Sequence, residues 1–134
     1  MQKWKMPKQH TEKEWMHRGL RLLAVGSTLG VRCGYVEVPE GHSLFGLDRG
    51  DKRVQRLKVH GGVNFSGIKH GSYVLGFDCG HWMDRVDPSL LPEDMDEETK
   101  RLILRGWEFG KLRTLKYVIK ETERLADQII EIKT

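Results

Sequence analysis

"TEKEWMHRGLRLLAVGS", Thr11 to Ser27, is the stretch on which the fold turns. Thr11-x-x-Glu14 has the form of a helix capping box, and Trp15, Met16, Leu20, Leu22 and Leu23 follow as an apolar stripe. The pattern predicts a helix from Glu12 to about Ala24, broken at Gly26. Beyond it, "VRCGYVEVP" places Cys33, Tyr35, Val36 and Val38 in a strand that Pro39 ends. "EGHSLFGLDRGDKRVQR", rich in Gly, Asp and Arg, reads as a long loop, and loops of this length in compact domains are often functional.

"LKVHGGVNFSG" and "SYVLGFDCG" read as two further strands, with the glycines of "GIKHGS" suited to a hairpin between them. "DPSLLPEDMDEETKRLILRGW" begins as a proline-containing turn and becomes helical around Glu97 to Leu104. Its acids precede the helix, where they favour the positive end of the dipole. In "RTLKYVIKETERLADQIIEIK", Thr114 can cap a helix whose apolar residues, Leu115 to Ile130, recur at three and four. That stripe is core or a subunit interface, and periodicity does not choose between them. The expected fold is α+β: a small, largely antiparallel sheet with an N-terminal helix and a long C-terminal helix.

The 134 residues fit one domain, with 1–10 as a tail. Charged residues make up 31% and no apolar run approaches the roughly 18 residues of a membrane span, so a soluble protein without membrane contact is expected. "MQKWKMPKQH" is basic but is followed by "TEKEWMHRG" and not by an apolar segment, so no secretory signal is expected and the cytoplasm is the default. Cys33 and Cys79 are too few for a zinc knuckle and read as two buried thiols. Residues 1–60 carry 12 Lys and Arg against 6 Asp and Glu, and this local excess suits an anionic partner.

Two stretches concentrate the chemistry: "VHGGVNFSG" (59–67) and "GFDCGHWMD" (76–84). Glycine weakens a strand interior unless something must approach the backbone, so Gly61 and Gly62 suggest main-chain amides open to a phosphate. Asn64 and Asp78 can read a base edge, Phe45, Phe65 and Trp82 offer stacking faces, and His42 and His60 can contact phosphate or ribose. Arg49, Lys52, Arg53 and Arg56 would add charge from the adjoining loop. The expected ligand site is therefore His42, Phe45, His60, Gly61, Gly62, Asn64, Asp78, His81 and Trp82. No phosphate loop, nucleophile elbow or dinucleotide fingerprint supports a standard enzyme. The rival is a metal-dependent phosphodiesterase using His60, Asp78, His81 and Asp84, since histidines and carboxylates with open positions build hydrolytic metal sites. A purely structural cluster, in a protein whose C-terminal helix binds another protein, is the third reading.

The blocks "CGYVEVPEGHSLFG", "VHGGVNFSG", "GFDCGHWMD" and "RTLKYVIKETERLADQI" resemble a widespread group of small phage-encoded proteins. Its pattern is GYV-x-VPEGHP-x-x-G, VHGG-x-T, GFD-x-x-H-x-x-D and YV-x-x-E-x-x-x-L. The resemblance spans about residues 33 to 131. It implies an immune-evasion sponge of the anti-CBASS or anti-Thoeris type. Such a protein would oligomerise in the host cytoplasm and bind a cyclic dinucleotide or ADP-ribose-derived messenger without cleaving it. No cofactor, catalytic residue, resident metal or long nucleic acid is implied. Ser43 stands where the pattern has proline and Asn64 where it has threonine, so the resemblance implies binding and not the identity of the ligand.

Overall fold

The computed structural model describes residues 8–106 and 110–132. Of the expected tail, 1–7 lie outside the described residues, and Gln9 and His10 belong to a strand. The expected N-terminal helix is overturned: Thr11 to Ser27 is a β-hairpin, β1 (Gln9–His17) and β2 (Leu20–Ser27). His17 pairs with Leu20 across Arg18 and Gly19, whose φ values are 50° and 87°. Two consecutive positive-φ residues make the two-residue turn whose twist matches paired strands. Glu12, the expected first residue of that helix, instead sits where the register shifts between Thr11 and Lys13, and its carboxylate meets Arg32 at 2.7 Å. A bulge there aims the side chain out of the regular alternation. β2 prevails as a strand because its residues are buried on both faces, which a one-sided amphipathic helix does not provide.

β3 (Arg32–Glu37), β4 (Phe65–Lys69) and β5 (Ser72–Asp78) complete an antiparallel five-stranded sheet in the order β1-β2-β3-β5-β4. β4 and β5 are joined through His70 and Gly71, again both at positive φ. The expected strand over 57–67 begins only at Phe65; its first half is irregular. A four-residue helix, α1 (Lys52–Gln55), interrupts the expected long loop. After β5 come β6 (Asp84–Arg85), a single 3-10 turn at Pro88–Leu90, α2 (Glu97–Gly106) and β7 (Lys111–Leu112), and β7 pairs parallel with β6. α3 (Leu115–Glu131) starts at Thr114, whose hydroxyl accepts from the Tyr117 amide at 3.2 Å.

α3 covers one face of the sheet. Val118, Leu125, Ala126 and Ile129 are buried in the same cluster as Leu22, Val36, Leu75 and Phe77, and Thr122 is buried on the same helix. The stripe left open between core and interface is therefore core. On the opposite face Leu23, Val25, Cys33, Tyr35 and Val74 form a second cluster with Phe65. Both cysteines are buried and unlinked. Among the described residues no helix is long and apolar enough to cross a membrane.

Candidate functional site

The site lies where the irregular segment after α1, the turn after β5, the β6–β7 ladder and the first turns of α3 meet. Val59 and Val63 are buried and anchor the segment between them. Within it the Gly62 amide donates to the Val59 carbonyl at 2.8 Å, and the His60 amide donates to Glu121 Oε1 at 2.9 Å. His60 is thus presented from a turn tied to α3. Parallel pairing sets Asp84 opposite Lys111 and Arg85 opposite Leu112, which brings the next residue, Arg113, beside Asp84. Tyr117, in the first turn of α3, completes the enclosure.

Asp84 is the hub, with a side chain only 1% exposed. Its Oδ1 accepts from Arg113 Nε at 2.8 Å. Its Oδ2 meets His60 Nε2 at 2.9 Å, the His81 amide at 3.0 Å and His81 Nδ1 at 3.3 Å. Burial opposes ionisation of Asp84, but the hydrogen bonds from His60, the His81 amide and Arg113 outweigh it and hold the carboxyl below its ordinary range. The other nitrogen of His60, Nδ1, lies 2.7 Å from Tyr117 Oη. Burial, with the Glu121 carboxylate nearby, pushes the Tyr117 phenol up, so it stays protonated at neutral pH. Arg113 lies over the Tyr117 ring at 4.8 Å. Burial first, then the charge of Asp84, raises the Cys79 thiol, which makes it a poor nucleophile.

His60, His81 and Asp84 each place a ligand atom within 4.8 Å of the other two, and Asp84 Oδ2 lies 2.9 Å from His60 Nε2 and 3.3 Å from His81 Nδ1. Ligand bonds of about 2.0–2.1 Å in a tetrahedron separate neighbouring ligand atoms by about 3.3 Å, so the contacts at 2.9 Å and 3.3 Å suit one ion. The outer partners suit it too. With His60 Nε2 given to a metal, Nδ1–H donates to Tyr117 Oη, and Arg113 steadies the second oxygen of Asp84. Asp78 borders the cluster: its Oδ1 is 3.7 Å from His81 Nδ1 and its Oδ2 accepts from Asn64 Nδ2 at 2.7 Å.

Of the nine residues expected from the sequence, His60, Gly61, Asn64, Asp78 and His81 come together here. Gly61 has φ +69°, and a Cβ on it would lie 2.2 Å from His81 Cε1. Its bare backbone makes room for an imidazole. Gly62, at φ +82°, faces open space, but its amide is already spent on Val59. Trp82 is 84% exposed beside the cluster. His42 is elsewhere: Nδ1 accepts from the Leu44 amide at 3.0 Å, so Nε2 carries the hydrogen given to the Ile129 carbonyl at 2.7 Å. Ile129 lies 12 residues beyond Tyr117 on α3, about 18 Å along its axis, so the 41–46 loop does not wall this site. Phe45 packs on Tyr73, with ring centres 5.2 Å apart.

Beside that loop lies a separate groove of about 390 Å³, bordered by Leu44, Leu57, Ile132, Arg53, Arg56 and Glu131. Arg113, Tyr117 and Glu121 were not singled out from the sequence. Two signals mark Tyr117 and Glu121: they are the Y and E of the YV-x-x-E-x-x-x-L block, and, four apart, they share a face of α3 beside its apolar stripe. In comparisons with known proteins, the chain matches no family model, no curated protein and no solved structure.

Proposed function

We infer that the protein is a metal-dependent hydrolase of phosphate esters, with a zinc-like divalent ion held by His60 Nε2, His81 Nδ1 and Asp84 Oδ2. The observation that carries this reading is the convergence of three donors on a point bordered by open solvent, each ligand steadied by a neighbour: Tyr117 for His60, Arg113 for Asp84, and the Gly61 backbone for the His81 ring. The burial gradient fits a site open on one side, since Asp84 is sealed, His60 is 12% exposed and His81 38%. A bound zinc ion would bring the pKa of its water to about 7 and polarise a phosphoryl oxygen. Asp78, half exposed and beside His81, is the carboxylate placed to take a proton from that water. A basic chain, with a pI of about 9.1, favours an anionic substrate.

Sequestration of a nucleotide messenger without cleavage is the competing reading. It would use the same residues to hold a ligand that leaves intact. The test is calorimetric titration of zinc(II) into the full chain, followed by incubation of the zinc-loaded protein with bis(4-nitrophenyl) phosphate and cyclic dinucleotides, with and without a chelator. The expected result is saturable zinc binding that Asp84→Asn weakens, and ester loss that the chelator stops. Absence of zinc binding overturns the reading, and nucleotide recovered intact from a tight complex replaces hydrolysis by sequestration.

A further inference from the structure

The turn that links two members of the cluster carries an unusual pair of residues. Trp82 and Met83 form its tip, between His81 and Asp84, and they are 84% and 54% exposed. The turn is closed by the Asp84 amide donating to the His81 carbonyl at 2.8 Å. It is fixed again by the Lys111 amide donating to the Met83 carbonyl at 2.8 Å. Turn tips are the province of Gly, Asn, Asp, Ser and Pro, whose backbones or side chains favour the bend. An indole and a thioether bring nothing to the bend itself. Neither joins a hydrophobic cluster of the described residues. Their backbone is therefore held rigidly while their side chains stand in water, one residue from a candidate metal ligand on either side.

We propose that Trp82, backed by Met83, is a stacking platform for the base of a nucleotide whose phosphate sits at the His60–His81–Asp84 centre. This rests on the metal-centre reading for the position of the phosphate and narrows its substrate class from phosphate esters to nucleotides. The occupant follows from the chemistry of the patch. An aromatic plane recognises another plane in a sequence-tolerant way, because every base has a π-face. The exposed apolar surface of the turn is only two side chains, Trp82 and Met83, which suits a single base better than a protein surface, and it is joined through His81 to a cluster suited to an anion-binding metal. A base linked to a phosphate satisfies both features at once.

The test compares adenosine 5′-phosphate with ribose 5-phosphate, which has the same phosphate and sugar without the base. Binding of each to the zinc-loaded full chain is measured by calorimetry, for the wild type and for Trp82→Ala and Trp82→Phe. Base stacking on one aromatic residue is expected to favour the adenosine compound by on the order of tenfold or more. Trp82→Ala should erase that preference, and Trp82→Phe should keep most of it. Equal affinities in the wild type, no binding of either compound, or a preference that survives in Trp82→Ala overturns the platform. Zinc uptake is measured first on the same samples; its failure overturns the metal centre, and the base preference is then read separately on the metal-free protein.

Discussion

Gly61 and Gly62 are adjacent and share a left-handed backbone, yet they should respond differently to the same substitution. At φ +69° and +82°, an alanine at either position costs about 1–2 kcal/mol of backbone strain. Only at Gly61 does a Cβ also meet a ring. It would stand 2.2 Å from His81 Cε1 and 2.7 Å from Nε2, whereas ordinary contact begins at 3.4 Å, so the imidazole must retreat by about 1.2 Å. Metal ligands are held to within about 0.2 Å of their ideal distances, so a displacement of that size removes His81 from the coordination sphere. Gly61→Ala should then weaken zinc binding by at least the ~10–100-fold that follows loss of an outer partner. Gly62→Ala, with nothing within 4 Å of its Cβ, should lose stability alone. Zinc calorimetry and urea unfolding on both variants give the comparison. Equal zinc affinities would refute the reasoning. If the doublet instead cradled a phosphate, the order would reverse, because the open side of Gly62 is where an anion would approach.

His42→Ala strips the partner from the Ile129 carbonyl and the Leu44 amide, so it should lower stability by about 1–3 kcal/mol in urea unfolding while the zinc isotherm stays as in the wild type. Arg113→Met leaves the sealed Asp84 carboxylate without its cation and should cost on the order of 3–5 kcal/mol by the same assay. Tyr117→Phe removes the hydroxyl that orients His60 and should weaken zinc binding about 10–100-fold, with a stability loss too small to explain it. Burial opposes ionisation of Asp87, but hydrogen bonds from Arg32 and Ser89 outweigh it and lower its pKa in the folded chain. Its contribution is therefore complete above the unfolded value of about 3.9 and is lost as pH falls through the lower folded value. Asp87→Asn should flatten the decline of the thermal midpoint below about pH 4.

The C-terminal helix was legible because each local signal agreed: Thr114 caps it and its apolar stripe meets the sheet. The hairpin at Thr11 to Ser27 was not, because its turn is Arg-Gly, without the Asn or Asp that usually announces such a loop, and because a T-x-x-E pair imitates a cap. Trp15 shows the ambiguity well. It fits a helical stripe, and in the strand it reaches α3, where its Nε1 donates to Glu123 at 3.1 Å. For the site, the two quoted stretches did hold His60, Asp78, His81 and Asp84, since glycines beside histidines flag a close approach. At Gly61 the approaching group is a side chain of the same chain. The ring of His81 fills the space beside Gly61, and no local pattern encodes a contact across 20 residues of chain. His42 was drawn in by its residue type, but a histidine with both nitrogens bonded to backbone is a strut.

The proton inventory of the cluster bears on why a cation suits it. Asp84 Oδ2 offers two lone pairs and meets three nitrogens, and the longest of these contacts, His81 Nδ1 at 3.3 Å, shows the oxygen is oversubscribed. A structural ion pair has no need of the second imidazole, because Arg113 already balances the carboxylate. An ion bound among the three donors would take the lone pairs of both rings, leaving Oδ2 with the His81 amide and the metal as its two partners. His60 must then shift its hydrogen to Nδ1, and the group facing that atom has to accept where it formerly donated. A phenol does both; a carbonyl or an ammonium does only one. Tyr117, held protonated and fixed in the first turn of α3, can thus pair with His60 Nδ1 in either tautomer. That is the property expected of a residue beside a site that is alternately filled and empty.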